Sequence, residues 1–304
     1  MAAVRRGASF VAFVAAVLAL VGCGGPPADG DRDELVVASY DFPENQILGE
    51  LVAEQLRRTG LDVELATGLG SREVVIPAME QGLVDVVVEY AGTALHFLQP
   101  GTAASHGSAD DVHAALRRTL ADRDVVALPY AAAEDANAFA MTAAEAEERG
   151  LERLSQLTGI DGELVMGGPP ECPQRRYCLE GLRARYGLEF GAFRVMPTRA
   201  DTALALQTGE IDVGMIETTD PRLFDGQLVL LEDDLELQPR ENVTPLVRAS
   251  VLEQHGDRIE PALAAVTRAL STEELLHLNR DVQLAGVDRL TAVQAWLDEH
   301  APLP

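Results

Sequence analysis

Residues 78–89 and 205–217 carry the same pattern twice. Ala78, Gly82, Asp85 and Val86 recur as Ala205, Gly209, Asp212 and Val213, each 127 positions later (205 − 78 = 127). Arg72 stands at the same offset from Arg199, while Glu89 falls on Ile216 and Glu217 falls on Tyr90. Further upstream, Glu34-Leu35-Val36-Val37-Ala38 resembles Glu163-Leu164-Val165-Met166-Gly167 at an offset of 129 (163 − 34 = 129). A few such matches arise by chance. Their coincidence with the same expected elements favours duplication. Each copy reads as strand, loop, helix, strand, helix, Gly stop, strand. The Gly ends a helix in the left-handed region, and the apolar run after each Asp makes a buried strand.

Two α/β units constrain the chain to an α/β, two-lobed fold with binding loops at the carboxyl ends of parallel strands and a cleft between the lobes. The first unit is expected to run through strand 35–39, helix 46–58, strand 62–65, helix 73–81, strand 84–88 and helix 109–120. The strand 125–130 then crosses to the second lobe, and Thr218-Thr219-Asp220-Pro221 is a natural return. This puts lobe 1 at 34–130 and 221–304, and lobe 2 at 131–220. Ser271-Thr272-Glu273-Glu274 opens a helix in the tail, because Ser or Thr caps and Glu suits the first turn.

The 304 residues hold 24 cations, all Arg, against 49 acids, a formal charge of −25. Nucleic acid is excluded as a partner, since neutralising phosphates needs a basic patch. Hydrophobic residues at 47% and charged residues at 24% mark a globular chain. Aromatics are scarce, 5% of the chain.

Residues 1–22 read as a secretory leader. Arg5 and Arg6 supply the positive start, and the uncharged run from Gly7 to Val21 is too short for a membrane span, which needs about 20 residues. Leu20-Val21-Gly22-Cys23 resembles the bacterial lipobox, which implies lipidation of Cys23; a plain signal peptide with a chance Cys is the alternative. Residues 23–33 then form a flexible tether. Removal of the leader takes away two Arg and no acid, so the mature charge becomes (24 − 2) − 49 = −27. The chain is expected to be exported and lipid-anchored on the outer face of the bacterial cytoplasmic membrane. Cys172 and Cys178 then share an oxidising compartment and are expected to bridge; a redox or metal pair is the alternative, but no CxxC or additional ligand accompanies them.

Catalytic signatures are missing. No GxSxG, HExxH or GxxxxGK[ST] occurs, and Gly68-Leu69-Gly70 lacks the third glycine of a dinucleotide fingerprint. The six His at 96, 106, 113, 255, 277 and 300 contain no i,i+3 or i,i+4 pair. The reading is a binding protein, not an enzyme, with no cofactor and no metal.

Ser39-Tyr40-Asp41-Phe42-Pro43-Glu44-Asn45-Gln46, then Gly68-Leu69-Gly70-Ser71-Arg72, Glu89-Tyr90-Ala91-Gly92-Thr93, Thr218-Thr219-Asp220 and Pro245-Leu246-Val247-Arg248 resemble the substrate-binding proteins of osmoprotectant ABC importers, the glycine betaine, choline and carnitine group. The likeness runs over roughly 35–298. It implies a type II periplasmic-binding-protein-like fold with a hinge, flexing near 129–134 and 218–221, that delivers a small solute to an ABC permease and its ATPase. In that family tyrosine faces cage a quaternary ammonium and an Arg holds the carboxylate. Carried over, Tyr90 keeps one cage position. Asn137, Glu217 and Glu241 or Asn242 stand where tyrosines are usual, Tyr40 stands where a polar or Lys residue is usual, and Arg175 falls where the carboxylate-binding Arg is expected. The cage is thus largely dismantled. The expected solute is a cation or zwitterion whose amine lies near Glu217 and Tyr90, with any carboxylate on Arg175 or Arg72. Each residue has a plainer alternative: Glu217 paired with an Arg across the hinge, Arg175 on the surface of a disulfide loop, Tyr90 packing a lobe, Arg72 on the surface. At the level of the whole protein, the alternatives are a receptor that feeds a sensor and an exported enzyme on the same scaffold.

Overall fold

The computed structural model describes residues 34–101 and 107–303. The leader at 1–22, the lipidated Cys23, the tether at 23–33 and His106 lie outside the described residues. The strands are β1 (Leu35–Ala38), β2 (Val63–Ala66), β3 (Val86–Tyr90), β4 (Val125–Ala127), β5 (Asn137–Thr142), β6 (Val165–Gly168), β7 (Ala192–Val195), β8 (Val213–Glu217), β9 (Leu228–Leu231) and β10 (Val243–Arg248). They form two five-stranded sheets of order β2-β1-β3-β10-β4 and β7-β6-β8-β5-β9. In each sheet three strands are parallel, β2-β1-β3 and β7-β6-β8. The fourth, β10 or β5, is antiparallel and arrives from the other half of the chain.

The repeat does the same work in both sheets. Asp85 N–H donates to Val36 O at 2.8 Å and its Oδ2 accepts from Val36 N at 2.8 Å. Asp212 does this with Val165 at 2.9 and 2.6 Å. Each aspartate therefore starts the pairing of its strand with the parallel neighbour. Gly82 and Gly209 have φ of 72° and 71°, the left-handed exit from a helix that a Cβ would strain.

One expectation is corrected. The chain does not leave the second sheet at 218–221. After a turn at Pro221–Asp225, β9 pairs antiparallel with β5, Phe139 opposite Leu231. The return crossing is 232–242, which joins β9 to β10. The physical reason is an edge: without β9, the open side of β5 would expose unpaired backbone groups. β4 closes the first sheet in the same way.

The helices are α1 (Pro43–Arg58), α2 (Arg72–Glu80), α3 (Ala91–Leu98), α4 (Ala109–Leu120), α5 (Ala143–Arg149), α6 (Leu179–Gly181, continued by a wider turn through Leu182–Tyr186), α7 (Arg199–Gln207), α8 (Ala249–Ala269), α9 (Thr272–Gln283) and α10 (Arg289–His300). α1 begins earlier than the apolar period suggests, because Pro43 suits the first helical position. On one face of the first sheet a core joins Ile47, Leu51, Val88, Leu263, Val293 and Trp296. A second core on the other face joins Ile76, Met79, Val87, Leu95 and Leu116. The second sheet is covered likewise, by Phe139, Met166 and Leu182 on one side and by Ala203, Leu206 and Ile216 on the other. Among the described residues no helix is long and apolar enough to cross a membrane.

Candidate functional site at the carboxyl ends of the two sheets

β1 and β3 end at Ala38 and Tyr90, and β6 and β8 end at Gly168 and Glu217. These ends point toward each other. His96 of α3 packs edge-on against Tyr177 of the loop after β6, with ring centroids 5.6 Å apart. Arg175 of that loop also lowers the pKa of Glu73 in α2, behind the stronger pull of hydrogen bonds at Ser71 and the helix start.

Lobe 1 places a carboxylate inside a buried strand. Glu89 is fully buried among the valines of β3 and needs a cation. Arg72, at the first position of α2, supplies it: Nε donates to Oε1 and Nη2 to Oε2, both at 2.7 Å. Nη2 also donates to Thr93 Oγ1 at 3.1 Å. The Tyr40 hydroxyl and the Tyr90 backbone N–H complete the donors to Glu89. Burial would lower the Arg72 pKa, but Glu89 overrides it and holds the guanidinium above its usual value. Burial and then Glu89 push the Tyr40 hydroxyl well up.

The expected aromatic cage is closed in another sense. Tyr40 is 2% exposed and Tyr90 5%. The Arg72 Cζ stands 5.5 Å from the Tyr40 ring centroid, so that face already holds a cation. Phe42 lies between the tyrosines, at 6.2 and 5.9 Å, and is the half-exposed member of the row. Glu241 and Asn242 are both buried and do not offer a face. The Glu241 Oε2 accepts the Gly92 and Thr93 backbone N–H groups at 3.1 Å each, which caps the start of α3. Burial pushes its pKa up to about 8, against the Thr93 N–H and Arg72. The Asn242 side chain donates to Ala131 O at 3.0 Å.

Lobe 2 repeats the device in a looser form. Arg199, at the first position of α7, donates to Glu217 Oε1 at 3.1 Å and to Asn137 Oδ1 at 3.2 Å. The β5–β8 ladder sets Asn137 opposite Glu217. Glu217 ends its strand where Glu89 sits one place inside, so Glu217 and Arg199 keep 28% and 26% side-chain exposure. The pairing partner is thus in the same lobe and not across the hinge. Asn137, Thr218, Glu134 and Arg240 line a cavity of 740 Å3 flanked by both crossings. Arg175 is exposed in the loop closed by the Cys172–Cys178 disulfide, whose sulfurs are 1.98 Å apart.

A buried set ties the lobes at the hinge. Glu44 of α1 accepts from the Tyr90 hydroxyl at 2.8 Å and from Asn279 Nδ2 at 2.6 Å. Thr219 Oγ1 lies 2.5 Å from Glu44 Oε2 and 2.8 Å from Asp135 Oδ1. One hydroxyl carries one hydrogen, so the second contact needs a protonated carboxyl as donor. Burial raises the pKa of both acids, and each also feels Glu217. Sequence reasoning missed Glu44, Asp135, Thr219, Asn279 and Arg199 as site residues. The offset of 127 that pairs Arg72 with Arg199 was the available signal for the last. Glu44 and Thr219 lie within the stretches that carry the family resemblance, but nothing local states what they touch, and Asp135 lies outside those stretches.

Two lobes of like topology, exchanging one strand each and meeting at the carboxyl ends of their parallel strands, define a periplasmic-binding-protein fold. Residues 33–299 match the family described as the substrate binding domain of ABC-type glycine betaine transport systems, and the chain belongs to that family. It is 29% identical over 297 residues to a glycine-betaine-binding protein of Pseudomonas aeruginosa, covering 91% of this chain and 92% of that one. It is 26% identical over 275 residues to the carnitine transport binding protein OpuCC of Listeria monocytogenes, covering 86% and 85%. A solved glycine betaine/carnitine/choline ABC transporter structure shares the fold with a TM-score of 0.78 at 22% identity, covering 88% of this chain and 98% of that one. The family is one of substrate-binding proteins of transport systems.

Proposed function

We propose that this protein is the exported receptor of an ABC importer for a small zwitterion, held by Arg199 and Glu217 of lobe 2 and enclosed by hinge closure. The observation that carries the reading is the half-open Arg199–Glu217 pair beside Asn137. Fully exposed pairs of opposite charge are worth only about 0.2–1 kcal/mol, and this one, reached by solvent from one side, is held less firmly than the sealed Arg72–Glu89 pair, so a solute bearing both a carboxylate and a cationic centre can displace it. Its carboxylate goes to Arg199 and its cation to Glu217. A cation with N–H donors is favoured over a permethylated one, because charge-assisted hydrogen bonds are available and free tyrosine faces are not. Betaine and carnitine, named for the relatives, share the zwitterionic character but lack such donors. Ligand bound by both lobes shifts the population toward the closed form. Leu20-Val21-Gly22-Cys23 supports a lipid anchor at Cys23 on the outer face of the cytoplasmic membrane, and the closed receptor would dock on a permease served by a separate ATPase.

The test is a thermal-shift and calorimetric screen of betaine, choline, carnitine, ectoine, amino acids, polyamines and histidine betaines. A solute at 100 times its Kd stabilises by about 2.7 kcal/mol. The expected hit is a zwitterion with N–H donors whose binding is lost in Glu217→Ala and Arg199→Ala. Tight binding of choline or betaine that survives Glu217→Ala overturns the reading.

A further inference from the structure

Arg72 is held as a bound guanidinium would be held. A carboxylate takes it with two parallel 2.7 Å bonds, a hydroxyl accepts a third at 3.1 Å, and an aromatic ring lies 5.5 Å from its Cζ. Every part of that cradle comes from the ends of β1 and β3 and the start of α3: Tyr40, Glu89 and Thr93. Arg72 alone reaches in from the start of α2. The cradle is built for a cation, since Glu89 has no exposure to water.

We propose that Arg72 is a tethered cation that fills the cation subsite of lobe 1 and thereby determines specificity, closing that lobe to the cationic end of the solute. The proposal rests on the reading of the cleft given above. A tethered group competes at an effective concentration of order millimolar or higher, so a dilute solute cannot displace Arg72. The second half of the repeat shows the contrast. Arg199 and Glu217 use the same two elements, but their carboxylate ends its strand and is 28% exposed against 0% for Glu89. One pair is a plug and the other a receptor.

The probe is methylguanidinium, with tetramethylammonium at equal concentration as the control for ionic strength and for cations without donors. Arg72→Ala is expected to bind methylguanidinium at least 10-fold more tightly than the native protein, read by calorimetry and by the rise in Tm, and to prefer it to tetramethylammonium. Arg72→Ala/Glu89→Gln, which removes both charges, is expected to lose this gain. Should Arg72→Ala fail to fold, refolding that succeeds with methylguanidinium and not with tetramethylammonium supports the proposal. Refolding with neither overturns it, as does a folded Arg72→Ala that binds methylguanidinium no better than the native protein, or a double variant that binds it equally well. The Glu217→Ala screen is separate: lost solute binding there, together with an inert Arg72→Ala, keeps the lobe 2 site and removes the tethered cation. The opposite pair of results does the reverse.

Discussion

Glu241→Gln isolates one buried proton. The Glu241 carboxyl is 3% exposed and accepts two backbone N–H groups at the start of α3. Burial raises its pKa from 4.5 to about 8. Between these values the folded chain holds a proton that the unfolded chain has released, so stability falls as pH rises. The slope is about 1.4 kcal/mol per pH unit at its steepest. Over the span from 4.5 to about 8 the loss has a ceiling of about 5 kcal/mol. Glutamine keeps the acceptor oxygen and never ionises. Native protein and variant should therefore match at pH 5, and the variant should be the more stable at pH 8.5. For a chain of this size 1 kcal/mol moves Tm by about 2–4 °C, so the Tm difference should open by roughly ten degrees. Circular-dichroism melts of both proteins from pH 5 to 9 measure it, and the difference between the two curves removes the other titrating groups. The competing physics is the positive end of α3, which favours an anion. A Tm difference independent of pH, or a variant less stable at pH 8.5, would show that the helix end outweighs burial and would refute the reasoning.

Three further outcomes are expected. Asp135→Asn gives the Thr219 hydroxyl an N–H donor at every pH; because Asp135 and Glu44 are both raised, native stability should fall with rising pH above the ordinary carboxylate range, and the variant's fall should be shallower in the same melts. Replacing Cys172 and Cys178 by Ser together should cost about 2 kcal/mol, read by urea denaturation, because so short a loop restrains the unfolded chain little. Gly181→Ala should destabilise strongly and disturb the disulfide loop, since a Cβ there would lie 1.9 Å from the Arg176 carbonyl oxygen; an unchanged Tm would contradict that packing.

Much of the architecture lies in local pattern. The two copies with their Gly exits, the Asp that opens each buried strand, the Ser271 cap and the Arg at the head of α2 are all set by residues near one another in the chain, where periodicity and turn chemistry act. The resemblance singled out Asn137, Glu217 and Glu241 or Asn242 as equally plain departures from its expected tyrosines. What each of them touches was not plain. β9 belongs to the second sheet because the edge of β5 must be covered, and no feature of residues 221–231 states that. Glu241 serves a helix start from 149 positions away, and Glu44 meets Asn279 across 235. Glu89 and Glu217 look alike in sequence, each an acid after an apolar run. One place along a strand seals the first behind Arg72 and leaves the second within reach of solvent. A strand alternates faces with every residue, and depth changes with the sheet's edge. That register, which is a property of the assembled sheets, separates an ion pair sealed from solvent from one that solvent reaches.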